Sequence, residues 1–186
     1  QTFTSRQPIA AADPQESAPR YGYREALRLK LDQDYDINAV NDNDPEPWSD
    51  LRGKLNLAPG SAFSLDAETQ WSVYDQLFTR YSIAGTLRSP RGDRLWAEYR
   101  RVLEDEADSV DPSESLDSQA RLVVHRALAL RGTLDWDLYA DEVREWLVGI
   151  TLTRQCWSFE LNHSVEDDDR RTYFMINLVG LGRFGG

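Results

Sequence analysis

Two alternating stretches decide the fold: residues 156–162, CWSFELN, and residues 172–178, TYFMINL. In the first stretch, Trp157, Phe159 and Leu161 fall on one face of an extended chain, and mostly polar residues fall on the other. In the second, the apolar face carries no charge. Because side chains alternate with a period of two only in extended backbone, both stretches are predicted to be β-strands.

The acidic segment 165–170, VEDDDR, is predicted to turn the first of these strands back on the second. Little sequence follows the second strand, so no helix is expected to cover it. A strand in that position is either an exposed sheet edge or the closing seam of a barrel.

The same alternation recurs along most of the chain. Leu27, Leu29 and Leu31, for example, are interleaved with charged residues, and turn-forming Pro and Gly residues separate such segments. We therefore predict an all-β fold. It is an antiparallel up-and-down meander of about ten long strands, part of a transmembrane β-barrel, and open or incomplete if the chain is alone.

The first residues differ from the rest in composition. Pro8, Pro14 and Pro19 lie among Ala, Ser and Gln. Residues 1–20 are therefore expected to be the end of a preceding strand, extended at 2–5, followed by a Pro-rich loop. Residues 21–186 are expected to contain the strands of the meander.

Bulk composition excludes several classes. A formal net charge of −11 argues against a nucleic-acid partner, because phosphate binding needs a basic surface. The single cysteine, Cys156, cannot form a disulfide within the chain. No apolar run is long enough for a membrane helix.

Alternation alone does not say which solvent the apolar face meets. A soluble β-sandwich, for instance one that binds carbohydrate through exposed aromatics, would pack that face on a second sheet. A membrane barrel would turn it to lipid. Strand length, the contrast between short turns and longer acidic loops, and aromatic residues near strand ends favour the barrel. Those aromatics are Tyr21, Tyr23, Tyr35, Trp71, Trp136, Trp146 and Trp157.

The opposite face is dense in charge of both signs, and these residues are predicted to line the barrel lumen. They are Arg28, Lys30, Arg52, Lys54, Asp66, Glu68, Arg80, Arg100, Arg121, Arg131 and Asp135. One explanation is that neighbouring strands pair opposite charges for stability. The other is a hydrophilic path for charged sugars or phosphates, with Arg and Lys as phosphate partners. The two are compatible.

Enzymatic function finds little support in the sequence. The two histidines, His125 and His163, belong to no Ser-His-Asp arrangement and to no metal-binding spacing, and no cofactor is predicted. An outer-membrane hydrolase barrel stays open as an alternative. The acidic run 167–169 could bind a divalent cation, but a solvated loop explains it as well.

Five short motifs carry a resemblance to a known family. They are YREALRLKL at 23–31, PWSDLR at 47–52, RGDRL at 91–95, RQCWS at 154–158 and NLVGLG at 177–182. In this order they resemble the C-terminal part of the LptD (OstA/Imp) family, outer-membrane proteins that assemble lipopolysaccharide. The similarity extends over nearly the whole chain, and it implies that residues 21–186 are the C-terminal strands of an outer-membrane β-barrel.

The resemblance implies a very large single-chain barrel with an N-terminal periplasmic domain that this chain lacks. It implies insertion of lipopolysaccharide into the outer leaflet of the bacterial outer membrane, with the sugars in the lumen and the lipid leaving by a lateral seam. The partners implied are lipopolysaccharide, outer-membrane lipid, a lipoprotein plug of the LptE type and periplasmic bridge components. In family members, a cysteine at the position of Cys156 can bond to the N-terminal domain.

The last alternating strand is predicted to form the lateral seam. Its proposed members are Phe174, Ile176, Leu178, Gly180 and Gly182. Glycines hold a strand weakly, so a closing strand that ends in them could part and let an amphiphile move sideways. A frayed C-terminus is the alternative explanation.

Overall fold

The computed structural model describes residues 1–9, 20–37, 46–103, 111–167, 169–178 and 182–185. Twelve strands occupy most of these residues. They are β1 (Thr2–Ile9), β2 (Arg20–Asp32), β3 (Leu51–Leu57), β4 (Phe63–Ser72), β5 (Leu77–Arg88), β6 (Arg94–Val102), β7 (Ser113–His125), β8 (Leu128–Asp137), β9 (Glu142–Thr153), β10 (Trp157–Glu166), β11 (Asp169–Leu178) and β12 (Gly182–Gly185). Nowhere in these ranges is a helix long and apolar enough to cross a bilayer.

All twelve strands belong to one antiparallel sheet whose spatial order is the order of the sequence, β1 to β12. The predicted all-β meander is thereby confirmed, and the sheet is open, because no pairing joins β1 to β12. The described residues form two strands more than the ten that were expected. The extended start runs to Ile9 and pairs with β2, and β12 pairs with the end of β11.

An up-and-down order places successive connections at opposite rims of the sheet. The turn rim carries connections 58–62, 89–93, 126–127, 154–156 and 179–181, together with 10–19. The loop rim carries connections 33–50, 73–76, 103–112, 138–141 and 167–168. The two longest connections of the loop rim match the expected asymmetry, but its other three are tight turns, and connection 10–19 of the turn rim is as long as 103–112.

The acidic connection 165–170 is shorter than expected. Residues up to Glu166 belong to β10 and pair with β11 from Asp169 onward, so only two residues remain to make the turn. Asp167 closes it in the left-handed conformation, with φ 50°. Gln76 and Asp141 do the same at two other turns of this rim. A left-handed residue matches the twist of a tight hairpin, and Asp tolerates that conformation.

Cross-strand register divides the residues into two faces. Leu29, Leu55, Ala67 and Ile83 lie in one line across β2 to β5, on the apolar face. Ile83 is 47% exposed, and no large hydrophobic side chain in the described ranges is buried. Among the described residues, no second sheet packs on this face. The expected single layer with an uncovered apolar face is observed, and the two packed layers of a sandwich are not.

Candidate functional site on the polar face

The eleven residues predicted to line a lumen all lie on the opposite, polar face. The register shows this strand by strand, for example through the neighbours Arg28, Asn56 and Asp66 on β2 to β4. Six of the eleven line one concave region of about 820 Å³ over β3 to β6. These six are Arg52, Lys54, Asp66, Glu68, Arg80 and Arg100.

Charges around this cavity are partly paired. Lys54 Nζ lies 3.0 Å from Glu68 Oε1 on the next strand, and Arg100 Nη2 lies 2.7 Å from Glu98 Oε1 on its own strand. The carboxylate of Asp66 accepts a hydrogen bond from the Asn56 amide at 2.6 Å. These side chains are solvated, so each pair contributes at most about 1 kcal/mol. The expected pairing of opposite charges on neighbouring strands holds for Lys54 and Glu68.

Away from the cavity the expectation holds for some pairs, such as Arg144 on β9 with Asp137 on β8, but it fails where the register aligns charges of the same sign. Four arginines lie in one line across β5 to β8, each paired with the arginine on the next strand. We call them the arginine row: Arg88, Arg94, Arg121 and Arg131. A parallel acidic row crosses β6 to β9, formed by Glu98, Asp117, Asp135 and Glu145. Alternation fixes which face a residue occupies, but the residue that it meets depends on register.

Arg131 has a special environment at one end of the arginine row. Its Nε donates to Asn162 Oδ1 at 2.8 Å, and its Nη2 lies 3.5 Å from the Tyr173 hydroxyl. The side chain reaches Asn162, two strands away, across Gly149, and a Cβ at Gly149 would overlap the Asn162 oxygen. Asn162 is 1% exposed. The sequence pattern did not single out Gly149, Asn162 or Tyr173; a glycine inside a strand was the only available signal.

Aromatic residues form a belt on the apolar face toward the loop rim. The predicted Trp71, Trp136 and Trp146 belong to it. Tyr81 and Tyr99, which were not predicted as part of a belt, lie beside them with ring centroids 5.9 Å apart and the rings tilted by 40°. The Tyr99 hydroxyl donates to the Glu114 carboxylate at 2.8 Å. Rings with an apolar body and a hydrogen-bonded tip are typical of the membrane–water interface.

The loop rim itself carries a second aromatic group. The rings of Tyr35 and Trp48 lie 4.6 Å apart across the β2–β3 connection. The Trp48 backbone N–H donates to the hydroxyl of Tyr74, in the β4–β5 turn, at 2.8 Å. These contacts tie the described ends of the longest loop to a neighbouring turn. Alternation did not single out Trp48 or Tyr74, because neither belongs to a strand.

The turn rim contains one well-ordered carboxylate. Asp93 accepts hydrogen bonds from the Val123 backbone N–H at 2.7 Å and from the Ser89 hydroxyl at 2.8 Å, and its carboxylate pairs with Arg91. The bond from Val123, followed by those from Ser89 and Arg91, lowers the pKa of Asp93 below its ordinary value. Asp93 thus fastens the β5–β6 turn to β7.

The predicted seam residues are only partly adjacent. Phe174, Ile176 and Leu178 lie on the apolar face of β11, and Phe174 is 51% exposed. Gly180 is outside the described residues, and Gly182 begins β12. Because β12 pairs with Met175–Leu178, the outermost strand of this sheet is β12 and not β11.

Cys156 and the two histidines occupy separate positions. Cys156 is exposed at the turn rim. His163 hydrogen-bonds Thr172, and His125 accepts a bond from the Ala127 N–H. In the ranges that the structure covers, no three His, Cys, Asp or Glu residues are grouped as a metal site would need.

Comparison with known families agrees with this geometry. The sequence profile of the family described as LptD: LPS transport system D matches residues 20–124, which is more than half of the chain. The chain belongs to the LptD family. The matched segment contains β2 to β6 and all of β7 except its last residue, and hence nine of the eleven predicted lumen residues. Arg131, Asp135, Cys156 and the proposed seam lie beyond it.

LptD is an outer-membrane protein family that acts in lipopolysaccharide transport, and it is not a family of enzymes. None of the curated proteins searched matches the chain.

Proposed function

We propose that this LptD-family chain forms part of the wall of a barrel that inserts lipopolysaccharide into the outer leaflet of the outer membrane. The observation that carries the proposal is the uncovered single sheet, apolar on one side and charged on the other. Soluble monomers rarely expose a contiguous apolar surface of this extent. Hydrocarbon would cover it without a second layer of protein.

Strand length supports a membrane position. The strands from β4 to β11 contain 9 to 13 residues each. About nine to eleven residues cross a bilayer when the strand is tilted. The aromatic belt near the loop rim would then lie at one membrane interface, with Tyr99 and Glu114 toward water.

The polar face would line the lumen, and we assign this role to the eleven predicted residues. Solvated charges of both signs keep water in a channel, and Arg and Lys can bind the anionic groups of a passing glycolipid. The cavity over β3 to β6 offers space for sugar rings beside Arg52 and Arg80. Neither arginine has a carboxylate within 4 Å in the described ranges.

The lateral seam is assigned to the end of the sheet. Phe174, Ile176 and Leu178 would face lipid, and β12, which pairs over only four residues, would be the weakly held closing strand. A disulfide between Gly182→Cys and a cysteine in the first strand of the full-length barrel, with Cys156→Ser as background, tests this. We expect lipopolysaccharide delivery to stop on oxidation and to recover on reduction; unimpaired delivery by the locked protein would exclude the seam.

Cys156 suggests the orientation. Outer-membrane barrels have their short turns in the periplasm. Cys156 would then face the periplasm, where a disulfide with the N-terminal domain of the full-length protein can form. The plug lipoprotein and the periplasmic bridge are proposed on the same family resemblance. Loss of a disulfide-linked gel species in Cys156→Ser, after digestion between the two domains, is the expected result.

Adjacent residues of one strand test the membrane assignment. Ser82 and Ile83 lie in the middle of β5 on opposite faces. In full-length protein lacking Cys156, Ser82→Cys should react with a small membrane-impermeant thiol reagent, and Ile83→Cys should not. Detergent solubilisation should make both reactive. Equal labelling of the two cysteines in intact outer membranes would refute a lipid-facing sheet.

A further inference from the structure

We propose that the arginine row is a binding site for a phosphate monoester, of the kind found on a phosphorylated glycolipid. The inference rests on the proposed function in one respect, namely that the ligand reaches the row along the lumen. The row itself is defined by register, which places Arg88, Arg94, Arg121 and Arg131 side by side on β5 to β8.

The geometry suits a multivalent anion. Neighbouring strands are about 4.8 Å apart, so the α-carbons of the four arginines span roughly 14 Å. Two neighbouring arginines can contact one phosphate, because each guanidinium offers a planar fork of donors. Arg88, Arg94 and Arg121 can therefore hold a phosphate between them, whereas the Arg131 guanidinium is directed away from Arg121, toward Asn162.

The row has no internal counter-charge. Within the described ranges, none of its four arginines lies within 4 Å of a carboxylate, whereas Lys54 and Arg100 do. The nearest acid in sequence, Asp93, already accepts bonds from Val123 and Ser89 and pairs with Arg91. Like charges opposite one another destabilise a sheet. An anionic ligand would remove that repulsion.

Neutral groups orient the Arg131 side chain. A guanidinium can only donate, so Asn162 must present its oxygen to Arg131, which leaves the buried Asn162 amide nitrogen without a partner in the described ranges. Neither Asn162 nor Tyr173 neutralises the arginine. The Arg131 charge therefore stays unneutralised, and its fixed guanidinium borders the row on the side away from Arg121.

Acidic residues are kept at a distance from the row. Glu98, Asp117 and Asp135 are each four residues from an arginine of the row, on β6, β7 and β8. Four residues of strand span about 13 Å. The line between the two rows is uncharged and contains Thr86, Trp96, Gln119 and Thr133. On this side a phosphate would meet hydroxyl and amide groups; on the turn-rim side the nearest carboxylate, Asp93, is bonded to Val123, Ser89 and Arg91.

The row also lies at the turn rim, since Arg88 ends β5 and Arg94 begins β6. In the proposed orientation that rim faces the periplasm, from which lipopolysaccharide arrives. The row would meet the anionic part of the ligand before the mixed charges near the loop rim do.

The test compares two double variants of the full-length protein in its complex with its native partners. Arg94→Gln/Arg121→Gln removes two charges from the row. Arg126→Gln/Arg154→Gln removes two exposed charges from the same rim but outside the row. The probes are a phosphorylated glycolipid, the same glycolipid after enzymatic dephosphorylation, and inorganic phosphate, each titrated at low and high salt. Migration of unheated protein on gels checks that both variants fold.

We expect the row variant to bind the phosphorylated glycolipid about 10-fold or more weakly than the control variant, with a smaller salt dependence. Both should bind the dephosphorylated probe equally. Inorganic phosphate binding that is lost in the row variant would show that the free ion also fits; preference for the glycolipid would show that the headgroup is the ligand. Either result supports the site.

Equal binding of the phosphorylated probe by both variants would overturn the proposal. So would a row variant that binds every probe normally but loses a co-purifying acidic protein, because the row would then be a protein contact. Neither outcome changes the labelling expected of Ser82→Cys and Ile83→Cys, so this inference can fail while the proposed function stands. Arg94→Lys/Arg121→Lys should recover part of the affinity, since it keeps the charges and loses the bidentate geometry.

Discussion

The two faces of the sheet share one backbone but differ in how their cross-strand neighbours interact. On the apolar face, neighbours across strands are alike, as with Leu55, Ala67 and Ile83, and likeness causes no repulsion between them. On the polar face, neighbours are also alike at the arginine row, where equal positive charges repel one another. A face selected for stability alone would alternate its charges. The difference indicates that the polar face is arranged for what passes over it.

The largest effect should come from exchanging the two environments. Ile83→Arg places a charge on the lipid side near the middle of β5 and should lower the free energy of unfolding in bilayers by about 2–4 kcal/mol. Ser82→Arg, one residue away between Glu68 and Arg100 on the polar face, should change it by less than about 0.5 kcal/mol. Denaturant titration of full-length protein in vesicles measures both. Similar losses for the two variants would contradict the assignment of faces.

A second comparison uses two glycines on opposite faces. Gly149→Ala would push its Cβ into Asn162 and within 2.9 Å of Arg131 Nε, and should destabilise the protein by about 1–3 kcal/mol. Gly85→Ala meets nothing within 4 Å and should be neutral or slightly stabilising. The same unfolding experiment applies. If Gly149→Ala is tolerated as well as Gly85→Ala, the path of Arg131 across Gly149 is not important for folding.

A third comparison stays within the polar face, and its two variants should have opposite signs. Arg121→Gln removes a charge that faces Arg94 and Arg131, so it should raise the free energy of unfolding by about 0.2–1 kcal/mol when no ligand is bound. Lys54→Gln removes the partner of Glu68 and should lower it by a similar amount. Both effects should shrink at high salt. Destabilisation by Arg121→Gln would mean that the row has a counter-charge in the assembled barrel.

The smallest effect concerns the turn rim. The pKa of Asp93 is lowered in the folded chain, chiefly by the Val123 N–H. Its stabilising contribution should be complete above the ordinary Asp pKa of about 4, and it should vanish as the pH falls through the lower folded value. Asp93→Asn should therefore be less stable than wild type at neutral pH and equal to it in strong acid. A stability difference between wild type and Asp93→Asn that persists in strong acid would contradict this account.

Much of the architecture could be predicted because a strand reveals its faces locally. The period of two assigned all eleven charged residues to one face and Leu29, Phe159 and Ile176 to the other. The terminal strands were harder. β1 contains Pro8, and β12 lies among glycines, so neither shows a clear alternation. The turn at Asp167 was predicted too long because acidic residues suggested a loop, whereas the ladder continues to Glu166 and Asp169.

The charge rows could not be predicted in the same way. Which residue meets Arg121 depends on the lengths of the turns on both sides of β7 and on bulges such as the one between Val123 and His125. A single residue added to a turn would change every pair beyond it. The contact of Arg131 with Asn162 depends in addition on an intervening strand that has no side chain at Gly149.

The sequence by itself determined that the chain is an all-β meander, which residues share a face, and the resemblance to the LptD family. It could do so because alternation is a property of consecutive residues. Only the tertiary structure decided that no second layer covers the apolar face, that like charges align across strands, and that Asn162 is buried beneath Arg131. These features depend on residues that are far apart in the chain and meet only when the register between strands is set.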